Sequence, residues 1–132
     1  MYVVIALLIA FIAPLVLLPI EKVLPYPFII EELVKLIAVS LTLLRKQDSK
    51  WIWAFLIGLL FSISESTFYL SNFLYTDNLS LFPIRILLTG SLHSGTSLLM
   101  YFLGRKGFFW LIVGFICAIL LHFLFNIVVA DF

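Results

Sequence analysis

Five long apolar runs, each ended by a short cluster of polar residues or prolines, organise the chain. A hydrocarbon core about 30 Å thick takes about 20 residues of helix to cross, and each run is close to that length. Tyr2–Ile20 predicts the first helix, with Pro14 as a kink. The stretch "EKVLPYP" then reads as a short turn in which two prolines interrupt helix. A second helix is predicted from Phe28 to Leu44, ending at "RKQDSK", and a third from Trp51 to Leu74. After "YTDNLSLFP", Pro83 suits the first turn of a fourth helix that ends near Gly104. After "GRKG", a fifth runs from Phe108 to Val129. Short connections predict that consecutive helices are antiparallel neighbours in one bundle. No repeat, low-complexity stretch or second domain interrupts residues 1–132.

Composition moves this pattern from water into lipid. The chain is 64% hydrophobic and 11% charged, where soluble domains run about half apolar and about a quarter charged. The fold class expected is therefore an all-α membrane protein, a single domain of about five transmembrane helices. The first run has no basic residue before it and no small-residue cleavage site, so no cleaved signal peptide is expected. A net charge of +1 gives no reason to expect a nucleic-acid partner. The single cysteine, Cys117, excludes an internal disulfide framework and reads as buried packing. Arg45, Lys46, Lys50, Arg105 and Lys106 fall on one side of the bundle, against Lys22 on the other, with Arg85 just inside the fourth run. The positive-inside rule then puts the N-terminus in the cytoplasm and the C-terminus outside. The location expected is an integral, multi-pass one in a prokaryotic plasma membrane.

Against this apolar background the polar exceptions carry the information. Charged groups at mid-bilayer cost at least about 2.5–3.5 kcal/mol each on insertion scales. The embedded set is Glu31, Glu32, Lys35, Glu65, His93, His122 and Asn126. With a rise of about 1.5 Å per residue, Glu31 lies about 6 Å below the outer face. Glu65 and His122 each come about 21 Å up from the cytoplasmic end, which leaves about 9 Å to that face. His93 lies about 15 Å below Pro83. Four helices thus bring ionisable groups to a similar depth, which predicts one shared site. Other readings exist for each residue alone. Glu31 and Glu32 would suit a helix N-terminus electrostatically, and Lys35 could pair locally with Glu31 at i+4. Either histidine could be a satisfied core residue. Gly58, Ser62 and Ser66, with Thr89, Gly90, Thr96 and Ser97, predict close helix packing beside the polar groups.

Several chemistries drop out by inspection. There is no H-E-x-x-H helix and no G-x-S-x-G elbow, and Asp48, Asp77 and Asp131 all fall in loops or at the terminus. Ser94 and Ser97 share a helix with His93, a poor arrangement for a serine nucleophile and its base. Glutamate, histidine and asparagine remain. A poorly solvated carboxylate can act as a general base toward water, while imidazole and amide groups orient that water and stabilise an oxyanion.

Glu31-Glu32-x-x-Lys35 resembles the E-E-x-x-K motif of PrsW-type intramembrane proteases, which belong to a wider group that includes the CAAX prenyl proteases and the anterior-pharynx-defective subunit of γ-secretase. Glu65-x-x-x-Tyr69 is similar to the second motif, F-E-x-x-x-Y, with Ser64 standing in place of the phenylalanine. His93, and His122-x-x-x-Asn126 in "HFLFN", resemble the two histidine motifs. The likeness runs from Glu31 to Asn126 with one motif per helix. It implies that Glu31 activates water, with Glu32 assisting or positioning. It further implies that His93 helps hold that water, that His122 and Asn126 stabilise the oxyanion, and that Lys35, Glu65 and Tyr69 support the site.

The function expected is a glutamate-dependent intramembrane endopeptidase, without a cofactor, acting on membrane-embedded proteins or lipidated peptides. A zinc-dependent variant would use Glu31, His93 and His122. Two other classes stay open: a non-catalytic assembly subunit held by the same buried network, and, less readily, a proton-coupled carrier.

Overall fold

A computed structural model describes residues 1–21, 23–44, 50–75 and 82–129, with the side chains of 18, 21, 68, 69, 71–73, 75 and 129 outside the description. Lys22, Arg45, Lys46, Asp48, Asp77 and Asp131 therefore lie outside the described residues, as does the side chain of Tyr69. The described residues form five α-helices: α1 (Tyr2–Glu21), α2 (Pro27–Leu43), α3 (Trp51–Tyr75), α4 (Phe82–Gly104) and α5 (Phe108–Val129). They match the five apolar runs to within one residue at nearly every boundary. Pro27 opens α2 at its first position, where the missing N–H costs no helical hydrogen bond. Gly107, with φ of 136°, supplies the left-handed residue that lets the chain turn from α4 into α5.

α2 is the hub of the bundle. It packs against α1, α3, α4 and α5, whereas among the described residues α1 touches neither α4 nor α5 and α3 does not touch α5. The most heavily charged helix interior is thus the most surrounded one. Phe28, Glu31, Glu32, Lys35, Ala38, Val39 and Thr42 form the buried face of α2, and Ile29, Leu33 and Ile37 face outward at i, i+4, i+8.

Inside and outside are inverted relative to a water-soluble protein. Glu32, Lys35, His93, Ser62, Thr96 and Ser97 are almost wholly buried, while Leu87, Phe109, Leu120, Leu124, Ile127 and Val128 are exposed. Large exposed apolar area around a polar interior is stable only where the surroundings are themselves apolar. By length and composition α4 and α5 can each cross a bilayer, and Tyr2–Leu17 and Trp51–Thr67 are shorter apolar stretches.

Small residues set the helix spacings. A Cβ added at Gly58 would overlap the backbone of His93 and Ser94, so α3 crosses α4 with backbone against backbone at the level of His93. One turn on, the Ser62 and Thr89 hydroxyls bond at 2.9 Å. Gly114 lets α5 approach Met100 of α4, where a Cβ would stand 3.1 Å from the Met100 Cα. Ser64 donates to the Phe11 carbonyl of α1 at 2.6 Å, three residues before Pro14. A proline ring disturbs the carbonyls of the preceding turn, and in an apolar medium a neighbouring hydroxyl is the available donor for one of them.

Candidate active site

The site grows outward from Lys35, which is fully buried on α2. An ammonium has three N–H donors and no acceptor. Lys35 Nζ directs them to Glu32 Oε1 at 2.5 Å, His93 Nδ1 at 2.9 Å and Thr96 Oγ1 at 2.9 Å. The Phe61 ring lies beneath the ammonium, 5.5 Å away. A buried cation is tolerated only with such full satisfaction, and removing one partner leaves the others uncompensated.

From Lys35 the network runs in two directions. Toward α3, His93 Nε2 meets Glu65 Oε2 at 2.8 Å, and Arg85 Nη2 donates to Glu65 Oε1 at 3.4 Å. Toward α5, Glu32 Oε1 meets His122 Nδ1 at 2.8 Å, and His122 Nε2 stands 3.7 Å from Glu31 Oε2. The two imidazoles pack edge to face with centroids 5.1 Å apart, Phe61 flanking His93 and Phe28 flanking His122. Six residues expected to share a site, Glu31, Glu32, Lys35, Glu65, His93 and His122, are therefore joined in one continuous cluster drawn from α2, α3, α4 and α5.

Several expectations are adjusted by this geometry. Glu31 and Glu32 lie beyond the first turn of α2, which contains no acidic residue, so their place is not that of helix-terminal charges. Lys35 bonds Glu32 at i+3 rather than serving simply as an i+4 partner of Glu31. Glu65 draws a basic partner from the next helix, Arg85. Asn126 follows His122 by one turn on α5 but is exposed, and among the described residues none of the cluster's hydrogen bonds reaches it. Tyr69 follows Glu65 by one turn of α3, with its side chain outside the described residues. Two residues are more central than their sequence signal suggests. Thr96 had only its small size to mark it, and Arg85 lay near the end of a run. The linear reading places Thr96 beside the polar groups as a packing residue, but assigns neither residue a hydrogen bond in the cluster.

Donor atoms of Glu31, His93 and His122 lie within 4.8 Å of one another, which makes them the metal-capable group among the described residues. Tetrahedral zinc at about 2.1 Å from its ligands sets them about 3.4 Å apart, close to the Glu31–His122 separation of 3.7 Å. Glu32 on His122 Nδ1 is the outer-shell carboxylate that commonly orients a ligating histidine. His93 fits less well, because Lys35 and Glu65 already engage both of its nitrogens. The fit to a three-ligand metal centre is thus incomplete in this arrangement.

With three carboxylates ionised, two cations and neutral imidazoles, the cluster of Glu31, Glu32, Glu65, Lys35 and Arg85 carries one excess negative charge. A proton shared by the Glu31–His122 pair would neutralise it. The arrangement offers a carboxylate and an imidazole facing each other in a buried setting, the elements of general acid–base chemistry.

No curated protein and no solved structure matches the chain. A family match covers residues 3–132, nearly the whole length, and its description is PrsW family intramembrane metalloprotease. Together with a polar cluster inside an apolar exterior, that match establishes the chain as a membrane-embedded member of the PrsW family of intramembrane proteases.

Proposed function

We propose that this family member is a glutamate-dependent endopeptidase that hydrolyses peptide bonds in membrane-embedded proteins or lipidated peptides. The observation that carries the reading is the pairing of Glu31 with His122. Glu32 holds His122 Nδ1 at 2.8 Å and so turns Nε2 toward Glu31 at 3.7 Å. Glu31 takes a proton from water, and the water oxygen attacks the scissile carbonyl carbon. His122, protonated on both nitrogens, keeps Nδ1–H on Glu32 and directs Nε2–H to the developing oxyanion. As the C–N bond breaks, the proton on Glu31 passes to the leaving amine, and the products are a carboxylic acid, which keeps the second water proton, and an amine. Asn126, exposed one turn beyond His122, adds an amide donor to the oxyanion once a substrate lies against α5.

All five helices span the bilayer in this reading, with the N-terminus cytoplasmic and the site in the outer half of the membrane. The short α2 fits such a span because its charged residues are buried against the other helices rather than facing lipid.

A metal-dependent reading has its own support in the Glu31, His93 and His122 cluster and in the family's description. Zinc held there would supply Lewis-acid polarisation of the carbonyl and a more acidic water.

The test is cleavage of a panel of single-span substrates by purified protein in lipid, comparing wild type with Glu31→Ala. The expected outcome is cleavage by wild type and none by a normally inserted Glu31→Ala. Cleavage by Glu31→Ala at the wild-type rate rejects the reading. Loss of wild-type cleavage on chelation and its return with zinc alone would move the assignment to the metal-dependent form.

A further inference from the structure

We propose that His93 is a positioning residue, fixed as the Nε2–H tautomer between Lys35 and Glu65, which leaves Glu31 to activate the attacking water and His122 to meet the oxyanion. The inference follows from donor and acceptor counting. Lys35 Nζ can only donate, so His93 Nδ1, 2.9 Å away, must be the acceptor and carry no proton. The proton of the neutral ring then sits on Nε2 and is donated to Glu65 Oε2 at 2.8 Å. Thr96 secures the arrangement from the same helix: its hydroxyl accepts from Lys35 and donates to the His93 carbonyl at 3.2 Å. Gly58 secures it from α3, since backbone contact at His93 and Ser94 leaves the ring's base no room to shift.

Every element packed around His93 contributes to this lock. Lys35 faces it from α2, Glu65 and Phe61 from α3, Thr96 from α4 and His122 from α5, with Arg85 holding the second oxygen of Glu65. A ring with both nitrogens engaged has no lone pair left for water or a metal. His122 differs in having one nitrogen held and the other turned to Glu31. The role given to His93 is thus to deliver Lys35 to Glu32, and through Glu32 to orient His122.

The functional half of this proposal rests on the peptidase reading, while the tautomer can be measured whether or not the protein cleaves anything. The chain has only two histidines, so ¹⁵N-histidine labelling of the whole protein in lipid nanodiscs gives two imidazole patterns, assigned with a His122→Gln variant. The expected His93 pattern is one neutral ring with bare Nδ1 and protonated Nε2, unchanged by adding zinc. An Nδ1–H tautomer, a doubly protonated ring, or a zinc-induced shift of the His93 signals would overturn the proposal. In cleavage assays, His93→Gln keeps an acceptor for Lys35 and a donor for Glu65, and is expected to retain kcat within about tenfold, whereas His122→Gln loses about 10²–10⁴-fold. Equal losses in the two variants, with both still folded, would overturn it as well. Wild-type protein that cleaves no substrate counts against the peptidase reading and leaves the tautomer to decide the place of His93.

Discussion

The α3–α4 side and the α2–α5 side of the cluster each present one histidine, and their surroundings give the two rings different capacities. On the first side, helices meet backbone to backbone at Gly58, hydroxyls bridge Ser62 to Thr89, and His93 has a partner on each nitrogen. On the second, α5 meets α2 through polar contacts of His122 and through Phe28, which lies against both His122 and Phe123. The first side is built to hold still. The second leaves a nitrogen facing a carboxylate. Residue type alone does not separate a strut from a reactive group; the number of engaged donor and acceptor positions does.

Substitutions graded by their expected damage can break this contrast. Gly58→Leu, the most disruptive, puts a side chain where the His93 and Ser94 backbone already lies, and should abolish the monodisperse folded protein on size exclusion in detergent. Lys35→Ala removes a group that hydrogen-bonds to both sides, stranding Glu32 and His93. It is expected to destabilise by about 3–5 kcal/mol, read as a lowered unfolding midpoint, and to lose cleavage as well.

Glu32→Gln acts on the second side by weakening the hold on His122 Nδ1. The expected loss is about 10–100-fold in kcat, with KM little changed, measured on a variant that still folds. A KM-only effect would place Glu32 in substrate binding instead. Ser64→Ala removes a hydroxyl that faces α1 rather than the cluster, and with it one hydrogen bond to the Phe11 carbonyl. About 1 kcal/mol of stability and no change in kcat are expected, checked by unfolding and cleavage in parallel.

Much of this was legible in the chain. Helix limits follow from where apolar runs meet proline, glycine and charge, because a bilayer admits few other solutions. Shared depth is also legible: a fixed rise per residue converts sequence position into height, and Glu31, Glu65, His93 and His122 come to a common level. Direction around each helix axis is not legible in the same way, since it depends on which neighbours a helix meets. Hence Lys35 reads locally as a partner for Glu31 yet reaches across to α4, and Thr96 reads as a small packing residue yet receives one of its hydrogen bonds. Arg85 reads as a charge near a helix end, and only the crossing of α3 and α4 turns it to Glu65. Asn126, grouped with His122 by its spacing, is exposed.

The most direct measurement is the single-turnover cleavage rate of a single-span substrate by Glu31→Gln protein in nanodiscs, beside wild type with an equal unfolding midpoint. Replacing the carboxylate by an amide keeps the shape of the side chain and removes the base. The rate should fall by about 10²–10⁴-fold. A Glu31→Gln protein that cuts as fast as wild type would contradict the assignment of Glu31 as the group that activates water.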